Sequence, residues 1–160
     1  MAFSEGLFAE KGVLDLIGIC ARMGPTIRLT IAGNGPLADL VKEKCEHHDN
    51  VRFCGVVRNQ EKRDLLRSSD VFCLPTRFKE GMPVSIIEAV SYGLYILSTK
   101  NAGIGDHIIT GKMGRLVEIG DTLGVESTLR ELVKDRAILD EVFHHNIAYH
   151  KDFWSDAKLA

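Results

Sequence analysis

A regular exchange of short strand-like runs for amphipathic helical stretches is what most constrains this chain. Residues 27–32 (IRLTIA) read as a strand closed by the glycines of GNGP, and residues 37–45 then carry Leu37, Leu40 and Val41 on one helical face. A strand follows at 51–53, then a helix at 60–67 capped by Asn59 with Leu65 and Leu66 inward. Next come a strand at 71–74 and a helix at 83–92, with Pro83 near its first turn and Gly93 closing it. Strands at 95–98 and 114–117 precede helices at 121–134 and 136–150. At the front, residues 1–4 suit a first strand, and residues 12–23 a helix with Val13, Leu16, Ile17 and Cys20 along one side. Strands alternating with helices of about 10–15 residues imply βαβ units and parallel pairing. Right-handed crossovers then place helices on both faces. The expected fold is α/β: a Rossmann-like doubly wound parallel sheet of about six strands, formed by residues 1–160 as a single domain. Ligands of such sheets sit outside the carboxyl ends of the strands. The loops of interest are therefore 5–12, 33–36, 54–59, 75–83 and 99–106.

Composition narrows the function classes. The 160 residues hold 22 acidic and 20 basic side chains, a net charge of −2. A nucleic-acid binder needs a basic field, which this balance does not supply. No apolar run reaches the roughly 18–20 residues needed to span a bilayer. The start, MAFSEGLFAEKG, lacks the basic-then-apolar pattern of a signal peptide. Cys20, Cys45, Cys54 and Cys73 are widely spaced and never form the close pairs of a zinc site or a secreted disulfide framework. They read as small buried residues in a reducing compartment, and the cytoplasm is the expected location. A first strand beginning at the initiating Met suggests a piece excised from a longer chain.

Glu80 and Glu88 lead the candidates for chemistry. Glu88 lies in VSIIEAV, an apolar run that predicts a buried helix, and a buried carboxylate needs a partner. Glu80 sits just before that helix. The two acids flank a helix N-terminus, where free backbone N–H groups and the dipole favour an anion. The picture is a phosphate at the amides of Val84 and Ser85, with carboxylates accepting hydrogen bonds from nearby hydroxyls. The plainer alternative is that Glu88 pairs with a neighbouring Lys or Arg and Glu80 is a solvated loop charge. Lys11 ends the first loop at a helix start, where a cation opposes the dipole. It suits an anion, or else is an exposed solubility lysine. Gly33-Asn34-Gly35-Pro36 with Ala38 matches GxGxxA after a strand. Pro36 removes an amide from any phosphate cradle, and the next strand ends without the acid that would hold a ribose. The motif is a tight turn near a nucleotide, or plain structure, rather than an NAD site. Glycine-rich turns at 103–106 and 111–114 mark the same sheet edge, with Asp106 a weak candidate. His47-His48, His144-His145 and His150 read as solvated surface.

Taken together, this text resembles the C-terminal, donor-binding domain of the retaining glycosyltransferases of family 4, which have the GT-B fold. The matching runs are EKGVLDLI, IAGNGP, NVRFCGVV, SDVFCLPT, EGMPVSIIEAVSYG and STKNAGIGDHIITGKMGRLVEIGD, nearly end to end. The most specific element is the pair Glu80 and Glu88 separated by seven residues. The resemblance implies a nucleoside diphosphate sugar (UDP-, GDP- or ADP-linked) as donor, no other cofactor and no metal. It implies that Glu80 contacts hydroxyls of the donor sugar and Glu88 the ribose. Lys11, aided by the amides of Val84 and Ser85, would bind the diphosphate, Gly81 and Met82 would be further donor-binding residues, and Lys11 and Glu80 would be the catalytic pair. Gly33 and Gly35 would border the base. It further implies a missing N-terminal domain of the same enzyme that holds a sugar or lipid-linked acceptor, so the isolated piece would transfer nothing. The pathway expected is polysaccharide or lipid-linked glycan assembly, with the full-length enzyme peripheral to the inner face of a membrane.

Two departures stand out. The family commonly has Gly-Arg-Leu in the first loop, and here the aligned residues are Glu5-Gly6-Leu7. A charge-assisted phosphate contact worth about 1.5–3 kcal/mol is thereby removed, with Arg77 and Lys79 as candidate substitutes. Pro83 stands where many members have glycine. A non-catalytic nucleotide-sugar-binding module and a GT-B-type sugar-nucleotide epimerase are the alternatives.

Overall fold

The computed structural model describes residues 1–79 and 81–155. Among these residues, six strands form one parallel sheet: β1 (Ala2–Ser4), β2 (Leu29–Ala32), β3 (Val51–Phe53), β4 (Val71–Leu74), β5 (Tyr95–Thr99) and β6 (Gly114–Val117). The order across the sheet is β3-β2-β1-β4-β5-β6. Phe3 pairs with Ile31 on one side of β1, and Ala2 with Phe72 of β4 on the other. β1 to β3 build outward one way and β4 to β6 the other, so the strand order reverses between β1 and β4. A crevice opens at that reversal, outside the carboxyl ends of the two strands.

Seven helices connect and cover the strands: α1 (Val13–Met23), α2 (Ala38–Glu46), α3 (Asn59–Arg67), α4 (Val84–Ser91), α5 (Ala102–His107), α6 (Thr122–Lys134) and α7 (Ala137–Tyr149), counted among the described residues. α1 packs with α2 and α6 on one face, and α4 with α7 on the other. Strands buried on both faces carry continuous apolar side chains. β4 (VFCL) and β5 (YILST) accordingly have no exposed residue. Phe3, Leu16, Ile31, Phe72, Ile86 and Ile96 are fully buried and form the centre of the core.

Several boundaries differ from the periodic reading for identifiable reasons. Pro83 is the residue before α4 rather than part of it, with extended backbone. Asn59 is the first residue of α3, in the left-handed region at φ 47°, and makes no side-chain cap. Leu40, expected inward, is 36% exposed because α2 lies over the margin of the sheet. The glycine-rich stretch read as a turn at 103–106 is the helix α5. Cys20 and Cys73 are buried as expected, whereas Cys45 and Cys54 are only half-buried. His145 is half-buried too, its ring 6.0 Å from that of Tyr149.

Candidate functional site

The site is assembled by three loops at the carboxyl ends of β1, β2 and β3, and by the turn that leads from β4 into α4. Backbone hydrogen bonds tie the first three side by side. The Leu7 amide donates to Asn34 O at 3.0 Å, Leu37 N to Leu7 O at 3.0 Å, and Gly33 N to Gly55 O at 2.8 Å. The glycines of GNGP serve this zipper. A Cβ on Gly33 would lie 2.0 Å from Glu5 O, and one on Gly35 2.8 Å from Leu7 N. Their small size is thus required by packing against the β1 loop.

Lys11 closes a 3₁₀ turn at Ala9–Lys11, and Gly12 follows in the left-handed region at φ 77°. A Cβ on Gly12 would sit 2.4 Å from Pro75 O, so only glycine lets the end of the β1 loop lie against the end of β4. The Arg77 amide donates to Glu10 O at 2.6 Å and completes that seam. Lys11 is consequently turned into the crevice, its side chain only 15% exposed, with Nζ 5.6 Å from the centre of the Phe78 ring.

The link from Lys11 to α4 runs through a residue that sequence reasoning left unassigned. Glu5 Oε2 lies 3.6 Å from Lys11 Nζ, and Glu5 Oε1 accepts a hydrogen bond from Ser85 Oγ in the first turn of α4. Ser85 is buried, while Val84 beside it is 68% exposed and leaves that end of the helix open. The first amides of α4 have no acceptor within the helix and carry its positive dipole end. Lys11 and the first turn of α4 are thus brought together through Glu5 at the reversal of strand order. The only sequence signal for Glu5 was an acid in the first loop, where the resembled family has glycine.

Glu88, expected buried, keeps 36% exposure at its side chain and lies 2.5 Å from Lys62 Nζ of α3. The contact is an ion pair rather than a directed hydrogen bond, since Glu88 Oε2 meets no donor in bonding geometry. Glu88 does pair with a neighbouring lysine, and the carboxylate stands one turn beyond Val84. The apolar run misled because α4 rides on β5 and α7 with one side toward the crevice. Glu80 lies outside the described residues. Gly81 is described, and α5 approaches it closely: a Cβ on Gly103 would be 2.4 Å from the Gly81 carbonyl carbon. Met82 is half-buried and packs against the core.

Of the proposed substitute cations, Arg77 turns away: its guanidinium pairs with Asp15 of α1 at 2.9 Å. Asp106 is exposed on α5. The loop after β4 is shaped instead by buried polar groups that periodicity cannot reveal. Asn101 Nδ2 donates to Phe78 O, and Thr99 Oγ1 to Thr76 O at 2.7 Å.

A parallel sheet in this order, with its helices on both faces and its open crevice at the strand reversal, defines a Rossmann-type α/β domain. Residues 3–135 match the family described as glycosyl transferases group 1, and the chain belongs to that family. It is 30% identical over 152 residues to the gpi3 subunit of phosphatidylinositol N-acetylglucosaminyltransferase from Schizosaccharomyces pombe, covering 88% of this chain and 32% of that protein. The chain therefore spans about a third of that relative's length. Among solved structures it resembles Anabaena HepE in complex with UDP (TM-score 0.83, 19% identity, 94% of this chain and 43% of that one). It also resembles the C-terminal domain of the group 1 glycosyl transferase LpcC from Francisella tularensis (TM-score 0.83, 17% identity, 97% and 85%). The GT-B type of glycosyltransferase domain expected from the motifs thus holds for family and fold. No helix among the described residues is long and apolar enough to cross a membrane.

Proposed function

We propose that this chain is the donor-binding half of a retaining, family 4 glycosyltransferase, and that its crevice seats a nucleoside diphosphate sugar. The observation that carries the reading is the convergence of Lys11 and the open first turn of α4 where the strand order reverses. In transfer of a sugar, the bond from the anomeric carbon to the β-phosphate oxygen breaks, the acceptor hydroxyl oxygen bonds to that carbon, and its proton passes to the departing diphosphate. Negative charge grows on the departing diphosphate. A fixed ammonium group and helix amides aimed at that oxygen stabilise the charge as it develops. Lys11, Val84 and Ser85, with Gly81 and Met82 lining the approach, are assigned to the diphosphate. Glu88 accepts hydrogen bonds from the ribose, its charge balanced by Lys62. Glu80 is assigned to the donor sugar, and Gly33 and Gly35 to the border of the base site.

An acceptor half, a sugar or lipid-linked acceptor and a place in glycan assembly belong to the same proposal. Support comes from the share of each relative that the chain spans, and from the phosphatidylinositol-directed activity in the name of the fission-yeast relative. On this reading the 160 residues alone bind nucleotide and transfer nothing. A second reading, a module with weakened donor binding, is favoured by one observation. Gly6 stands where the resembled family has Arg, and the Phe8 ring lies over it, 2.9 Å from where a Cβ would be.

Thermal unfolding with UDP, GDP, ADP and NAD tests the proposal. A ligand that binds only the native state raises the midpoint by mass action. At least one nucleoside diphosphate should do so and NAD should not. No shift with any of the three diphosphates at millimolar concentration would refute it. Gly6→Arg in a full-length protein separates the two readings: a large gain in donor affinity supports the weakened module, and no change supports the intact one.

A further inference from the structure

Glu5 is the first residue beyond β1, and its backbone has little freedom. Its amide donates to Ala32 O at 3.3 Å, and its carbonyl is the group that Gly33 packs against. The side chain is 16% exposed and directed into the crevice. One carboxylate oxygen accepts from Ser85 Oγ and the other faces Lys11 Nζ at 3.6 Å. Two oxygens sharing one negative charge, set between a hydroxyl at a helix N-terminus and an ammonium group, reproduce one edge of a phosphate. A carboxylate this far removed from water is costly unless it is paired. Here its partners are the groups that make the crevice attractive to anions.

We infer that Glu5 is a built-in counter-anion that competes with the donor's diphosphate for Lys11 and Ser85, and thereby sets how tightly the donor is held. The inference rests on the proposed seating of a nucleoside diphosphate in this crevice. A diphosphate has to displace the carboxylate before it reaches those two groups. The apparent dissociation constant is then the intrinsic one divided by the fraction of molecules in which Glu5 has swung away. The carboxylate also repels the incoming phosphate at short range. A competing structural role predicts the opposite sign: if Glu5 served to aim Lys11 at the phosphate, its loss would weaken binding.

Isothermal titration of the 160-residue chain and of Glu5→Gln and Glu5→Ala separates these cases, with UDP, inorganic pyrophosphate and uridine as ligands. Glu5→Gln keeps an acceptor for Ser85 while removing the charge. Circular dichroism first establishes that each variant is folded, and the two variants serve as checks on each other. Both should bind UDP and pyrophosphate at least about tenfold more tightly than the parent, the scale of one charge-assisted contact. Uridine, which carries no phosphate, should bind parent and variants alike. Equal or weaker UDP binding by the variants would overturn the inference and leave the proposed function standing. Binding of neither UDP nor pyrophosphate by parent or variants, with GDP and ADP also inert, would remove the proposed function and this inference together.

Discussion

The two ends of the parallel sheet differ in how far their charged side chains are drawn out of water: Lys11 and Glu5 at the carboxyl ends are 15% and 16% exposed, Arg136 and Asp70 at the amino ends 66% and 56%. At the amino ends, two side-chain amides bind backbone carbonyls, that of half-buried Asn50 and that of fully buried Asn146. Asn50 Nδ2 donates to the carbonyls of Cys20, Gly24 and Ile27 at 2.7, 2.8 and 3.2 Å. Asn146 Nδ2 donates to those of Leu94 and Met113 at 2.7 and 3.1 Å. Both side chains are neutral, and each ties carbonyls of separate segments to one amide. At the carboxyl ends side chains also hold loop carbonyls, as Asn101 does for Phe78 and Thr99 for Thr76, but here charged and partly buried pairs are added: Glu5 with Lys11, and Glu88 with Lys62. A hollow of about 310 Å³ lies at the amino end, bordered by Arg28, Asp70 and Arg136. The chemistry nevertheless points to the other end. Paired, partly buried charge beside a helix terminus, not the size of a hollow, marks the edge at which the donor is proposed to bind.

The comparison can be broken most severely at the seam between β1 and β4. Gly12→Val introduces a β-branched residue at φ 77° and a Cβ 2.4 Å from Pro75 O. It should lower stability by roughly 3 kcal/mol or more in urea unfolding. An unchanged midpoint would mean that the two loops are not pressed together. Lys11→Ala comes next. It should weaken UDP binding by about 10–100-fold while costing the free chain only about 1–2 kcal/mol as Glu5 loses a partner. Asn50→Ala sharpens the contrast from the opposite end. It should destabilise the fold by about 1–3 kcal/mol and leave UDP affinity untouched. A loss of binding in that variant would show the two ends to be coupled.

Smaller effects follow from the thiols and the rim. Burial pushes the Cys20 thiol from an ordinary 9.0 up to about 12, and the Cys73 thiol is also driven well up by burial. The folded state holds these protons more tightly than the unfolded chain. The contribution of Cys20 to stability is therefore complete below pH 9 and is lost as pH rises through about 12, and that of Cys73 has the same sign. Denaturant midpoints should fall in that window, and Cys45 and Cys54 should react with a thiol reagent well before Cys20 and Cys73. The least effect is expected at the surface pair Arg136–Asp70, 3.2 Å apart with both side chains more than half exposed. Arg136→Ala should change stability by no more than about 0.5–1 kcal/mol, less at high salt.

Local chemistry determined the elements. Period-two and period-3.6 patterns with glycine and proline punctuation place all six strands and six of the seven helices described, because each of these signals acts over a few residues. α5 escaped because a six-residue helix containing two glycines has almost no periodic signal of its own. The motif text was also enough to single out Lys11, Val84, Ser85 and Glu88 as residues worth following. What they meet was decided elsewhere in the chain. Glu5 reaches Ser85 across 80 positions, and Lys62 of a different helix neutralises Glu88. The strand order that brings β1 beside β4 is a choice among topologies that short-range patterns do not encode. Ion pairs and buried amides acquire their energies only when that choice removes water from around them, so the tertiary structure alone could show which charges face the crevice and which are already matched.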